Sequence, residues 1–303
     1  MSKRNLALLA VFSTAVFYGI NYTLVKRVMP NYLSPYALVW VRICGATILF
    51  WITSFMIKSS ELEKKDFPKV ALLSIVAIVI NILSFFKGLS LTTPINASVI
   101  MVTTPILVFV FSLIILKEKL ELKRGLGIII GLLGAFLLTT ADKKVAENAV
   151  NIPLGNLLVF VNASGYALYL ILTKQMIEKY HPITFIKWLY TFGLLFMTPF
   201  IFNEVLVVEW QKIPFNIYLI IAYVVVFATY CNFLFNLYGL KQLKPTTVSA
   251  FIYTQPVIAS LFALLVGSDE LSWVKIASTL LIFIGVYLVT LKPNEVKNKV
   301  TAN

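Results

Sequence analysis

Residues Thr93–Phe109 read TPINASVIMVTTPILVF, and Lys244–Ser260 read KPTTVSAFIYTQPVIAS. Both stretches are apolar enough for a bilayer, yet each holds two prolines eleven residues apart, with threonines and a serine beside them. A proline inside a helix removes a backbone donor and clashes with the preceding turn, so the same pair in two places needs a reason. The reason is a longer self-match. At an offset of 151, Ala71–Thr139 aligns with Ala222–Thr290 without a gap and with 16 identities in 69 positions. Among them are Asn81/Asn232, Gly88/Gly239, Pro94/Pro245, Ser98/Ser249, Thr103/Thr254, Pro105/Pro256, Leu120/Leu271 and Gly134/Gly285. Apolar composition alone produces chance matches of Leu with Leu; it does not align Asn, Pro and Gly together. Upstream, Tyr18/Tyr166 and Lys26/Lys174 match more loosely at an offset of 148.

The 303 residues are 59% hydrophobic and 13% charged, with a mean hydropathy of +0.89. Soluble domains carry about a quarter charged residues, so this composition belongs to lipid. A spanning helix needs roughly 20 apolar residues. Such runs fall at 7–27, 35–57, 70–91, 95–116, 122–141, 154–174, 183–203, 215–239, 246–267 and 272–291. The expected fold is an all-α integral membrane protein, with ten transmembrane helices as two inverted five-helix repeats. Five is odd, so the second copy enters the bilayer upside down. The expected units are a first repeat over 1–141, an external linker over 142–153, a second repeat over 154–291 and a cytoplasmic tail over 292–303. Inverted repeats with interrupted helices are the architecture of secondary transporters, which bind substrate near the midplane.

The formal net charge of +13 reads as topogenic, because Lys and Arg accumulate on cytoplasmic loops. With the N-terminus inside, eighteen Lys/Arg at loops and helix ends fall inside and seven outside, which places both termini in the cytoplasm of an inner-membrane protein. The start, MSKRNLALLAVFSTA, has the look of a signal peptide. Cleavage is not expected, since the repeat needs the first helix. Cys44 and Cys231 both fall inside apolar runs and read as small buried residues.

The stretches FYGINYTLVK, Arg42, FFKGLSLTTPINASVIMVTTPIL with KEKL, and LYGLKQLKPTTVSAFIYTQPVIASL with SDELSW together resemble the paired EamA domains of the drug/metabolite transporter superfamily. The resemblance covers nearly the whole chain. It departs at the acidic turn, where a glycine of the family pattern is replaced by Lys117 and Ser268. It implies movement of small metabolites, often export of amino acids or related compounds.

Candidate substrate-binding residues are Tyr18, Asn21, Tyr22, Arg42, Asn81, Ser98, Met101, Thr104, Tyr166, Tyr169, Asn232, Asn236, Ser249, Tyr253 and Gln255. Asn81 and Asn232 sit mid-span and suit either interhelical hydrogen bonding or substrate contact. The tyrosines suit packing or a cavity wall. Arg42 is the deepest cation and suits either a carboxylate or backbone carbonyls. Pro105 and Pro256 are expected to kink their helices, freeing the carbonyls of Met101 and Ile252 for Thr103, Thr104, Thr254 and Gln255 to satisfy. Trp40, Trp51, Trp188, Trp210 and Trp273 read as interface anchors.

The thirteen acidic residues lie in loops or at helix ends, so no buried carboxylate offers a proton relay. The sequence holds no phosphate-cradling G-x-x-x-x-G-K-[ST], so ATP hydrolysis is not expected, and the single His181 with scattered acids makes no catalytic constellation. The expected activity is alternating-access transport by a monomer in the lipid bilayer, with a small-molecule substrate and without cofactor, metal or nucleic acid. A nucleotide-sugar or phosphorylated-metabolite antiporter needs several cations at mid-depth, and a lipid-flipping protein is the remaining alternative.

Overall fold

A computed structural model describes residues 2–29, 31–57, 61–91, 100–118, 121–140, 151–265 and 273–291, and excludes the side chains at 22, 23, 26, 86, 89, 90, 138–140, 260, 263, 264 and 275. The linker at 142–150, the tail at 292–303, Pro94, Ser98 and the Tyr22 side chain therefore lie outside the description.

Among the described residues the chain is helical throughout, without strands. The elements are α1 (Lys3–Val28), α2 (Pro35–Met56), α3 (Phe67–Ser74), α4 (Asn81–Leu91), α5 (Thr104–Ile115), α6 (Leu122–Thr140), α7 (Ile152–Lys179), α8 (Pro182–Leu206), α9 (Phe215–Val225), α10 (Asn232–Gln242), α11 (Pro245–Ala250), α12 (Thr254–Leu265) and α13 (Trp273–Thr290). Their starts follow from capping chemistry. Ser2, Ser34 and Asn151 accept backbone N–H groups at the heads of α1, α2 and α7, and prolines occupy the first turns of α2, α7 and α8. His181 caps α8 through its ring nitrogen. Partial burial and then Lys241 pull that imidazole below its ordinary pKa, which keeps the nitrogen available as an acceptor.

Among the described residues, five segments are long and apolar enough to cross a bilayer: Pro35–Met56, Lys64–Phe85, Ile152–Lys179, Pro182–Leu206 and Phe215–Gln242. Large apolar side chains such as Phe55, Phe200 and Phe215 stand exposed on their surfaces, which suits lipid.

Two of these segments change winding in the middle. A π-helical turn over Ile75–Ile80 joins α3 to α4, and another over Val226–Cys231 joins α9 to α10. The two turns lie 151 residues apart at both ends, the offset of the sequence match. Each widens the helix just before Asn81 or Asn232. Such turns are rare and concentrate at functional sites.

The prolines of the opening motif stand where the winding changes. Pro105 lies in the first turn of α5, after a break at Val102 and Thr103, and Pro256 lies in the first turn of α12, which a 3-10 turn over Phe251–Tyr253 joins to α11 without interruption. At the break Thr103 Oγ1 donates to the Ile100 carbonyl at 2.6 Å, and its repeat mate Thr254 donates to Phe251 at 2.7 Å. Thr104 Oγ1 donates to the Met101 carbonyl at 2.7 Å, so the acceptor facing the proline has a partner. A helix start satisfies the missing proline donor more cheaply than a kink, because no intrahelical bond is forfeited there.

The tightest pairing joins α6 and α13. A Cβ on Gly285 would fall 2.5 Å from the Gly131 nitrogen and 2.6 Å from the Gly127 oxygen, so the backbones touch through glycine. Elsewhere, Trp40 and Trp51 bond across to Thr198 and Thr191 of α8 at 3.0 and 2.9 Å. These two indoles join helices, whereas the sequence placed them as interface anchors; Trp273, at 85% exposure, stands on the surface.

Candidate functional site

A cavity of about 340 Å³ lies between the two halves of the chain. Its walls come from α1, α2, α4, α7, α8, α9, α10, α11 and α12 with the first π turn, so no single helix pair builds it. The lining reaches Met29 and Leu38, at the end of α1 and the start of α2. In the other direction it stops among packed side chains: Ala7 and Val11 of α1, Ile177 of α7, Ile186 of α8 and Leu240 of α10 are all buried.

That closed side is the face where α1 begins, and Arg4 donates there to the carbonyl of Thr290 at the end of α13. Two ionic clusters tie the halves together on it. Lys179, ending α7, pairs with Asp66 at 2.5 Å and Glu63 at 3.0 Å in the segment before α3, and the Tyr180 hydroxyl donates to Asp66. Lys65 and then Lys179 hold the Glu63 carboxyl below its usual range. Lys244, heading α11, pairs with Glu121 at 2.8 Å and reaches Glu118 at 3.8 Å. On the opposite face, the ion pair among described residues is local, Lys212 with Glu209.

Arg42 projects from α2 into the cavity. Its Nε donates to Thr229 Oγ1 at 3.2 Å, and Nη2 donates to the Tyr18 hydroxyl at 3.4 Å. Thr229 in turn donates to the Val224 carbonyl at 2.7 Å, across the π turn, so the widened helix aims its hydroxyl oxygen at the guanidinium. Aromatic rings make one wall. Tyr166, Tyr169, Phe233 and Tyr190 follow one another at centroid separations of 5.8, 6.0 and 5.1 Å.

Of the residues singled out from sequence, Tyr18, Asn21, Arg42, Asn81, Met101, Tyr166, Tyr169, Asn232, Asn236 and Gln255 line this cavity. Thr104, Ser249 and Tyr253 are buried outside its lining. Tyr253 fills the notch left by Gly131 of α6. Tyr22 and Ser98 fall outside the described side chains. Sequence reasoning passed over Thr14, Asn162 and Tyr190, which line the cavity, and Thr229, which orients Arg42. Asn162 was within reach, since it lies one helical turn before Tyr166 on the same face.

Asn81 and Asn162 bond reciprocally: each side-chain amide donates to the other residue's backbone carbonyl, at 2.9 and 2.7 Å. The side-chain carbonyl of Asn232 has no hydrogen-bond partner among the described residues.

Comparisons with known proteins converge. Over 92% of this chain and 96% of its own length, an uncharacterized transporter of Archaeoglobus fulgidus is 26% identical. The uncharacterized transporter YyaM of Bacillus subtilis is 24% identical over 90% of this chain and 89% of its own. A WAT1-related protein of Arabidopsis thaliana is 20% identical over 93% and 83%. A solved crystal structure superposes with a TM-score of 0.80 at 15% identity, covering 95% of this chain and 97% of that one, a likeness of fold alone. The EamA-like transporter family matches residues 5–140 and again 153–291. With both halves of a largely apolar helical chain matched in turn, this membrane protein belongs to the EamA-like transporter family.

Proposed function

We propose that the protein is a secondary transporter, built as two inverted five-helix repeats, that exports or exchanges a small polar or amphipathic metabolite, such as an amino acid, by alternating access. The observation carrying this reading is the cavity itself. Both halves line it, it extends to the helix ends at Met29 and Leu38, and it is closed by packed side chains at the face where α1 begins. Such a shape is one of two states that an inverted repeat makes available, and exchanging the roles of the halves gives the other.

Several features support the repeat. The matched π turns and the matched threonine bonds at the helix breaks occur at the 151-residue offset. The contact of Arg4 with Thr290 puts the first and last described helix ends on one face, as an even number of crossings requires. In this reading the boundaries fall at 1–141 and 154–291, the closed face is cytoplasmic, and the protein works as a monomer in the inner membrane. The ionic clusters then hold the cytoplasmic side shut while the cavity faces outward.

Reconstitution into liposomes with a metabolite panel tests this. Saturable flux of one small-metabolite class supports it. Scrambling of a fluorescent phospholipid without solute flux assigns the chain to lipid flipping. Exchange limited to nucleotide sugars favours the antiporter, a reading weakened by Arg42 being the one cation among the described cavity-lining side chains.

A further inference from the structure

Resting on the transport reading, we propose that the substrate is an amphipathic monocarboxylate: Arg42 binds its carboxylate, and its apolar body lies against the rings of Tyr166, Tyr169, Tyr190 and Phe233.

Three observations converge on this. First, Arg42 brings a permanent charge into a mostly apolar cavity, and among the described residues no Asp or Glu pairs with it or lines the cavity. Its two contacts, Thr229 and Tyr18, are neutral hydroxyls. A half-buried charge without a counter-ion in a mostly apolar cavity attracts an anion that enters it.

Second, the contacts fix the guanidinium without using it up. Thr229 holds Nε and Tyr18 holds one edge of Nη2 loosely at 3.4 Å, which leaves the terminal nitrogens to a planar acceptor. A carboxylate matches that fork geometrically.

Third, the uncompensated charge is a single one. A phosphate monoester carries about −1.5 to −2 at neutral pH and calls for a second cation that the lining lacks. The continuous run of rings lining the same cavity supplies apolar surface for the rest of the molecule, and 340 Å³ lies at the small end of ligand cavities.

The test is binding in detergent, by calorimetry and thermal stabilisation, of acid and amide pairs that differ at one group: 3-phenylpropionate with 3-phenylpropionamide, and L-phenylalanine with L-phenylalaninamide. The wild type is expected to prefer the acid of at least one pair by about 30-fold or more. In Arg42→Gln the preference collapses to near unity, while melting without ligand is unchanged or raised, since a charge without a partner has been removed. Arg42→Lys keeps the charge and retains part of the preference. Amides binding as tightly as acids, or Arg42→Gln keeping the preference, overturns the proposal. Where Arg42→Gln melts far below the wild type, Arg42→Lys carries the test, and complete loss of its acid preference at wild-type melting overturns the proposal. Liposome flux separates the two levels: uridine transport with no acid preference overturns the carboxylate and leaves transport standing, whereas no flux of any panel compound removes both.

Discussion

Asn81 and Asn162 clasp α4 to α7, each amide donating to the other residue's backbone carbonyl at 2.9 and 2.7 Å. The closed ring of two bonds forms just after a π turn, where the helix ladder is locally loosened. It therefore serves as structure and as cavity wall at once.

Replacing Asn162 by Leu, or Asn81 by Leu, removes one of the two interhelical donors and orphans the backbone carbonyl it served, and is expected to cost about 1–2 kcal/mol of stability along with transport. Asn232→Leu removes a carbonyl that has no hydrogen-bond partner among the described residues, so stability is expected to change by less than about 0.5 kcal/mol while flux falls. Thermal melts in detergent beside liposome flux check the contrast. Equal destabilisation by all three leaves Asn232 a packing residue.

The ionic clusters on the closed face set a second expectation. Lys179→Gln combined with Lys244→Gln removes the ion pairs between the halves and leaves the bonds of Tyr180 to Asp66 and Arg4 to Thr290. Exposed pairs are individually weak, so the population shift toward the state open on that face is expected to be a few-fold. Labelling a cysteine introduced at Val11, in a background lacking Cys44 and Cys231, measures it from that side. Unchanged labelling means the face is held by apolar packing and those remaining bonds.

The same cluster fixes a pH dependence. Lys65 and then Lys179 hold the Glu63 carboxyl below its ordinary value near 4.5. A depressed acid contributes fully above its free pKa and loses the contribution as pH falls through the depressed value. Closure of this face should therefore be constant from neutral pH down to about 4.5 and weaken only below it. Labelling of Val11→Cys across pH, with Glu63→Gln as control, should trace that window; a change centred near pH 6 assigns closure to another group.

Thr104 supplies the partner for the Met101 carbonyl at 2.7 Å and is fully buried. Thr104→Val keeps the shape and orphans that carbonyl, with an expected loss of about 1–3 kcal/mol. Pro105→Ala, in the first turn of α5, is expected to cost less than about 1 kcal/mol. Melting temperatures that rank the two in the opposite order restore a kinked, continuous helix.

Gly285→Ala places a methyl 2.5 Å from the Gly131 nitrogen, and backbone atoms cannot rotate away as a side chain can. A loss of about 2 kcal/mol or more is expected. Gly125→Ala meets only the Phe109 ring at 3.9 Å and should be neutral. Comparing the yield and melting of the two variants measures how tightly α6 and α13 are joined.

The helical class, the positions of the long apolar segments and the internal match were determined by the sequence alone. Apolar runs and winding depend on neighbours along the chain, and a duplicated Asn–Pro–Gly pattern survives as text. The residues facing the cavity from α1, such as Tyr18 and Asn21, were legible because spacing within one helix fixes a face. What lay beyond it were relations between helices: Asn162 as partner of Asn81, Thr229 behind Arg42, Tyr253 turned onto Gly131, and two tryptophans bonded to α8. The tertiary structure decided these, because rotation and register between packed helices are set by contacts across the fold, which no spacing within a helix encodes.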